Sequence, residues 1–330
     1  MYRNFDNISP NWLRNISQLS FDEAALSLFQ YQYQHCLIYQ KYVNAIGKNT
    51  NSVSNILDIP FLPISFFKSH QVVSGVFEPA LIFESSGTTT TVNSKHYVKD
   101  AQLYRASFIE AFEQFYGKPS DYVFLCLLPS YLERKNASLV YMAKALVAAS
   151  AHSESGFYLD DFAALATQLQ LLQQCNKKVM LLGVTFALLD FAEEFPMDLN
   201  KVIVMETGGM KGRKAEWTRE EVHQYLQKQW QLPVVHSEYG MTELLSQAYS
   251  LGLGKFRAAN TMKLLVRDPY DPFDVQLNGS GTANIIDLAN IHSCAFIATD
   301  DIIKKHQDDT FEVLGRLDFS ALRGCNLMVL

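Results

Sequence analysis

Residues 84–96 read ESSGTTTTVNSKH, so that two serines, a glycine and four threonines fill positions 85–91 and a lysine follows at Lys95. The apolar run ALIFE (80–84) stands on one side and SKHYVKD (94–100) on the other, and both have the composition of strands. The stretch therefore reads as a strand–loop–strand turn. Its hydroxyls can serve the turn's own backbone. The same hydroxyl and N–H donors around a flexible glycine, with a lysine behind them, can also wrap phosphates. The Walker glycine–lysine pattern is absent, so the loop alone leaves both readings open.

Composition narrows the choice. The 330 residues, 48% hydrophobic and 19% charged, suffice for one large domain or two ordinary ones with substantial cores. A formal net charge of -6 with no lysine or arginine run argues against a phosphate-backbone-binding surface, and no nucleic acid is expected as a partner. Residues 1–20 are polar and interrupted by Pro10, unlike a secretion signal, and no apolar run is long enough for a membrane span. Cys36, Cys126, Cys175, Cys294 and Cys325 are scattered, with neither a CxxC pair nor a histidine at metal-ligand spacing, which suits a reduced, cytoplasmic setting.

Ser20 followed by Glu23 has capping-box spacing, and Leu26, Phe29, Tyr33 and Leu37 follow at helical intervals, predicting one long first helix that ends near Gly47. LDIPFLPISFFKSHQV (57–72), with two prolines, predicts an extended segment whose Phe61, Phe66 and Phe67 could line an apolar cleft or acyl tunnel, or join the core. Beyond residue 80 the apolar runs ALIFE, DYVFLCLL, KKVMLLGV and KVIVME alternate with helix-period segments at 100–116 and 216–230, the second with Thr218 as N-cap. That alternation predicts an α/β sheet covered on both faces. After residue 260 the pieces MKLLVRD, TANIIDLA, AFIATDD and TFEVLGRLD predict a β-rich region.

Three later stretches decide what the loop is for. SEYGMTELLS (237–246), FIATDDI (296–302) and GRLDFSALRGCNLMV (315–329) follow it in an order and spacing that resemble those of adenylate-forming enzymes, the group of acyl-CoA synthetases, adenylation domains and their relatives. SSGTTTTVNSK (85–95) resembles their phosphate loop, YGMTE their adenine and magnesium motif, TDD their ribose motif and GRLD their hinge motif. The nearest likeness is to the acyl-protein synthetase subunit of the bacterial fatty acid reductase of luminescence operons, and more distantly to phenylacetate-CoA ligase. IPFLPISFFK (59–68), ETGGMKGR (206–213) and above all the cysteine in GRLDFSALRGCNLM carry it.

The resemblance implies an α/β adenylate-forming N-terminal core over 1–318, with an α/β part (1–258) and a β-rich part (259–318), and a tail (319–330) bearing Cys325. The larger relatives continue past the hinge motif with a mobile lid that carries a lysine, and the resemblance implies that lid and lysine are lacking here. It also implies ATP and Mg2+. Ser85, Ser86, Gly87, Thr88, Thr89 and Thr90 would supply donors to the phosphates and Lys95 a point charge, though an extra threonine blurs the alignment of that lysine. Glu243 would hold Mg2+, or cap a helix start; Thr242 would bond the α-phosphate. Tyr239, followed by Gly240, would stack on adenine, and TGGM (207–210) would turn tightly beneath the adenine, where Gly208 and Gly209 permit close backbone approach. Asp301, with Asp300 competing, would accept both ribose hydroxyls, and Arg316 would reach ribose or phosphate.

In the nearest family an acyl group activated with ATP passes to a cysteine, here Cys325 by motif match, and then to a reductase partner. The stretch from Asp318 to Cys325 spans about 20 Å when extended, and the neighbouring Arg323 favours a thiolate. His236 and His292 read as core histidines. The substrate expected is a fatty or other carboxylic acid, and the protein partner an acyl reductase or a carrier protein. Two other readings remain: an acid–thiol ligase that acylates coenzyme A or a carrier protein, and a nucleotide- or acyl-binding subunit that does not adenylate.

Overall fold

Strands buried on both faces need continuous apolar sequence, and that is where the sheet is deepest. In the computed structural model, which describes Phe5 and residues 20–85, 92–129, 136–208 and 217–317, every residue of the strand Tyr122–Leu127 is buried, as is every residue but the first of Lys178–Val184. In chain order the strands are β1 (Leu62–Pro63), β2 (Leu81–Glu84), β3 (Lys95–Val98), β4 (Tyr122–Leu127), β5 (Gly156–Phe157), β6 (Lys178–Val184), β7 (Val202–Thr207), β8 (His236–Tyr239), β9 (Ala248–Ser250), β10 (Phe256–Ala258), β11 (Met262–Arg267), β12 (Val275–Gln276), β13 (Gly279–Asp287), β14 (Phe296–Lys305) and β15 (Phe311–Arg316). The α-helices are α1 (Phe21–His35), α2 (Leu37–Ala45), α3 (Phe66–Ser69), α4 (Ala101–Tyr116), α5 (Ser138–Ser150), α6 (Phe162–Gln173), α7 (Thr185–Glu194) and α8 (Arg219–Trp230).

One hydrogen-bonded sheet runs β12-β11-β13-β14-β15-β10-β9-β8-β7-β6-β4-β5, with β1 paired to β14. The pairs among β4, β5, β6, β7 and β8 are parallel, so the carboxyl ends of these strands open on the same edge. From β8 to β12 the pairing is antiparallel. The two textures read from the sequence thus share a single sheet, joined through β9, β10 and β15. β2 and β3 form a separate antiparallel hairpin, as the strand–loop–strand reading expects.

Local signals account for several helix starts. The Ser20 side chain accepts from the Glu23 N–H, and Thr218 and Glu221 form a full capping box at α8. The first helix, however, is two. Cys36 is extended (φ -104°, ψ 97°) between α1 and α2. The break turns α2 so that Tyr39 stacks on Phe296 at 5.9 Å while Phe29 of α1 meets the same ring edge-on at 6.2 Å. The 57–72 segment is irregular apart from β1 and the single turn α3. Its Phe61 and Phe67 belong to the core, packed against Phe296 and His96 respectively. Among the described residues no helix is long and apolar enough to cross a membrane.

Candidate functional site

In open parallel sheets ligands bind in the crevice outside the carboxyl ends of the strands. β7 ends there at Thr207, and Gly208 follows with φ +75°, a conformation that costs glycine nothing. Its carbonyl accepts a hydrogen bond from the Thr185 hydroxyl at 3.1 Å. β8 ends at Tyr239, and a turn carrying Thr242 and Glu243 follows Gly240. Glu243 therefore stands in a turn, and the helix-capping alternative is not realised.

Residues distant in sequence converge on Asp301. Tyr239 Oη donates to Asp301 Oδ2 at 2.8 Å, and Arg316 Nε donates to Oδ1 at 2.9 Å. β14 and β15 place Asp301 and Arg316 directly opposite each other. The carboxylate is buried while the Arg316 side chain is 68% exposed, so the guanidinium reaches outward from a fixed anchor. The Asp301 charge raises the Arg316 pKa. Tyr239 is held edge-on by Phe256 (6.1 Å) and Phe311 (5.8 Å), which stack on each other at 5.5 Å. The competing Asp300 is only partly buried; burial pushes its carboxyl up, against the charges of Arg316 and Arg267.

The root of the hydroxyl loop is docked on the Thr242–Glu243 turn. Ser85 and Ser94 close the loop: Ser94 N–H donates to Ser85 Oγ at 2.9 Å and Ser85 N–H to the Ser94 carbonyl at 3.0 Å. His96 lies with Nδ1 2.9 Å from the Thr242 carbonyl and Nε2 3.0 Å from Asn290 Oδ1, and Asn290 Nδ2 donates to the Glu243 carbonyl at 2.8 Å. Burial pushes His96 down to about 4, so the imidazole is neutral at ordinary pH. The Glu243 carboxyl is buried too and pushed up by that burial, with Ser94 and Arg316 acting in the opposite direction. A neutral imidazole has one N–H to donate, so replacing His96 with leucine strands one of these two oxygens and is expected to destabilise the fold by about 1–3 kcal/mol, measured by urea unfolding. An unchanged midpoint would mean that the bridge contributes nothing.

Lys95 points elsewhere. Strand alternation turns it away from the His96 face, and it pairs across the hairpin with Glu84, Nζ to Oε1 3.6 Å, with half its side chain exposed. The structure brings together Tyr239, Asp301 and Arg316, and separately ties Ser85 through Ser94 and His96 to Thr242 and Glu243; it does not bring Lys95 to either group. Ser86, Gly87, Thr88, Thr89, Thr90, Gly209 and Cys325 lie outside the described residues.

Near Gly208 sits a buried charge group centred on Glu206, the first residue of ETGGMKGR, to which the sequence assigns no role. Glu206 Oε1 accepts from Arg219 Nε at 3.0 Å with His223 Nε2 at 3.6 Å, and Oε2 accepts from Thr185 at 3.0 Å. Burial would raise this carboxyl, but His223 and Arg219 outweigh it and hold it at about 2. Arg219 also donates to the Val313 carbonyl at 3.0 Å and lies 4.9 Å over the Phe256 ring, tying β7, α8 and β15 together. His236 bonds the Tyr116 hydroxyl, and His292 is packed against Phe77; both behave as core histidines. Among the described residues no group of three His, Cys, Asp or Glu side chains is arranged to hold a metal. A groove of about 520 Å3 between α8, Leu253 and Val313–Leu314 contains none of Tyr239, Asp301 and Glu243, and we do not identify it with the site.

No protein-family model and no curated protein matches the chain. Solved structures do. ATP-bound MatB from Rhodopseudomonas palustris superposes with a TM-score of 0.56 at 16% identity, over 73% of this chain and 49% of that one. The inhibitor-bound N-terminal domain of FACL13 from Mycobacterium tuberculosis does so with a TM-score of 0.51 at 14% identity, over 75% and 63%. The chain spans about half the length of the MatB structures it matches. At such identities the likeness concerns the fold, and the fold is that of the N-terminal part of adenylate-forming enzymes.

Proposed function

We propose that this chain activates a carboxylic acid, fatty or related, with ATP and works as an acyl-protein synthetase, holding the product as a thioester on Cys325 before passing it to a partner such as an acyl reductase. The α/β part (1–258), the β-rich part (259–318) and the tail (319–330) are its units. The observation that carries the reading is the convergence of Tyr239, Asp301 and Arg316, from three separated motifs, beside the crevice at the carboxyl ends of the parallel strands.

Each residue has work in such a reaction. An ionised Asp301, already oriented by Tyr239 and Arg316, has lone pairs left for the two ribose hydroxyls of ATP. The ring of Tyr239 takes the adenine, with Gly208 and Gly209 allowing close approach of the backbone. Ser85, Ser86, Gly87, Thr88, Thr89 and Thr90 donate to the phosphates, with Thr242 at the α-phosphate. Lys95 would have to leave Glu84 to join them. The substrate carboxylate oxygen then attacks the α-phosphorus, the bond to the bridging oxygen breaks, and pyrophosphate leaves. The Cys325 thiolate next attacks the acyl carbon and AMP departs.

Mg2+ fits Glu243: this buried carboxyl is pushed up by burial, a state a bound cation would reverse, and Mg2+ commonly takes one or two protein carboxylates with phosphate oxygens and waters as the rest. When bound it neutralises phosphate charge.

Intact-mass measurement after incubation with ATP, Mg2+ and a panel of fatty and aryl acids tests the reading. An acyl-sized increment that needs ATP, is released by hydroxylamine and disappears in Cys325→Ser is expected. Pyrophosphate release without an increment would transfer the acyl group to coenzyme A or a carrier instead. If no acid releases pyrophosphate, adenylation itself is refuted.

A further inference from the structure

The loop between β13 and β14, residues 288–295, is buried at every position. Connections ordinarily run over the surface, because a buried one must find a partner for each backbone polar group. Distant parts of the chain supply those partners here. Gln32 of α1 donates to the carbonyls of Asn290 and Ile291, both at 2.9 Å, and accepts from the Ala295 N–H at 2.8 Å. The Ser74 N–H donates to the His292 carbonyl at 2.9 Å and the Ser74 hydroxyl to the Ser293 carbonyl at 2.6 Å. The Ser293 hydroxyl in turn donates to the Val72 carbonyl at 2.8 Å. So fastened, the loop is a fixed block, and none of these partners belongs to the nucleotide site.

The block presents two side chains to the turn that carries Thr242 and Glu243. Asp287, fully buried at the end of β13, accepts four hydrogen bonds. The N–H groups of Leu245 (2.7 Å) and Ser246 (3.1 Å) donate to Oδ2, and the Ser246 hydroxyl (2.6 Å) and the Ala289 N–H (3.1 Å) donate to Oδ1. Asn290, three residues on, donates to the Glu243 carbonyl at 2.8 Å, and its Oδ1 meets the His96 ring that reaches the Thr242 carbonyl. The turn is thus gripped at 242, 243, 245 and 246, on both sides of Glu243. None of these bonds uses the Glu243 carboxyl. A buried carboxylate costs a fold unless its lone pairs are filled, and a turn that merely linked β8 to β9 could be held by neutral groups.

Groups that orient a metal-binding carboxylate typically change metal affinity ten- to a hundredfold when they are removed. We propose that Asp287 and Asn290 are positioning residues: from the buried loop they hold the Glu243 turn so that its carboxylate meets the Mg2+ carried by ATP, and the loop thereby fixes how much Mg2+ strengthens ATP binding. The inference rests on the reading that Glu243 holds Mg2+ beside ATP.

Two measurements on the full chain test it, the first without nucleotide. In hydrogen–deuterium exchange the wild-type amides of Leu245 and Ser246 are expected to be strongly protected, since both donate to a buried carboxylate. Two variants should quicken exchange at 242–246 and leave β6 and β7 as they were. Asn290→Ala removes the bond to the Glu243 carbonyl. Asp287→Asn puts an NH2 against a backbone N–H whichever way the amide turns. The second measurement is calorimetric titration with ATP, with Mg2+ and with Mg2+ chelated. The ratio of the two affinities should fall about tenfold in each variant, while affinity without Mg2+, which the Tyr239–Asp301–Arg316 group sets, stays within about threefold. A purely structural role would lower both affinities together or neither. The inference is overturned if the ratio holds in a variant whose 242–246 exchange has quickened. It is equally overturned if Leu245 and Ser246 of the wild type exchange as freely as exposed loop amides, a result that requires no variant to fold. A wild type that binds ATP no better with Mg2+ would instead refute the magnesium reading of Glu243, and the positioning role with it.

Discussion

Asp301→Asn is expected to weaken ATP binding roughly a hundredfold, because a charge-assisted hydrogen bond contributes about 1.5–3 kcal/mol and asparagine keeps only one acceptor oxygen. The loss follows from the charge and the acceptor that the amide lacks. Tyr239 Oη donates to one carboxylate oxygen and Arg316 Nε to the other. Asparagine can keep its oxygen on Arg316 and turn its NH2 to the Tyr239 hydroxyl, which can accept, but it then has no charge and no second acceptor oxygen for the ribose hydroxyls. ATP lacking both ribose hydroxyls supplies the control. It should bind the wild type about as poorly as ATP binds the variant, and the variant should no longer distinguish the two nucleotides. Retention of ATP affinity within about threefold would remove Asp301 from the nucleotide site.

The largest loss of stability is expected from Glu206→Ala. Breaking a buried ion pair by deleting one partner leaves an uncompensated charge and costs about 3–5 kcal/mol. Here Arg219 and His223 would both lose their carboxylate, and Arg219 is the link between β7 and β15. The effect should depend on pH. A carboxyl held at about 2 in the fold, against an ordinary 4.5, contributes stability that is fully present above 4.5 and is lost as the pH falls toward 2. The gap between wild type and variant in urea unfolding should therefore be widest near neutrality and shrink on acidification through that window. Glu238 has the opposite sign: pushed up to about 7, it disfavours the fold above that value, and the penalty fades as the pH falls toward 4.5. A Glu206 gap of equal size at neutral and strongly acidic pH would show that packing, and not charge, makes the residue necessary.

The motifs singled out Tyr239, Asp301 and Arg316 one by one; that the three bond one another follows from the register of β14 and β15 and the end of β8, which the motifs do not state. The caps at Ser20 and Thr218 were legible because a cap is written in neighbouring residues. Cys36 was not: apolar periodicity continues through both helices, and the break follows from how Tyr39 and Phe29 meet Phe296. Lys95 belongs to the loop's composition, yet its direction depends on the register of β2 and β3, which sets it opposite Glu84. His96 and Asn290 were missed altogether, since the hydrogen bonds that give them a role join residues 146 and 194 positions apart. His96 does lie in the quoted loop stretch, and alternation from Lys95 would have turned it inward. Glu206 and Glu238 each lie inside a quoted stretch, ETGGMKGR and SEYGMTELLS, but burial, the property that sets them apart, is a fact of the assembled sheet.

The way α1 and β1 are fastened bears on how the fold assembles. The Gln32 side chain bonds the carbonyls of Asn290 and Ile291 and the N–H of Ala295, and β1 pairs with β14 at Leu62↔Ile297 and Pro63↔Ala298. A ribosome releases α1 and β1 well before their partners, since Gln32 and Asn290 are 258 positions apart. Such non-local pairing slows folding and leaves apolar surface waiting in the interval. Helices and parallel strands between residues 101 and 239 can assemble meanwhile, because they contact mainly their sequence neighbours. Of these elements, α1 and β1 leave the ribosome before the others and are among the last to be secured.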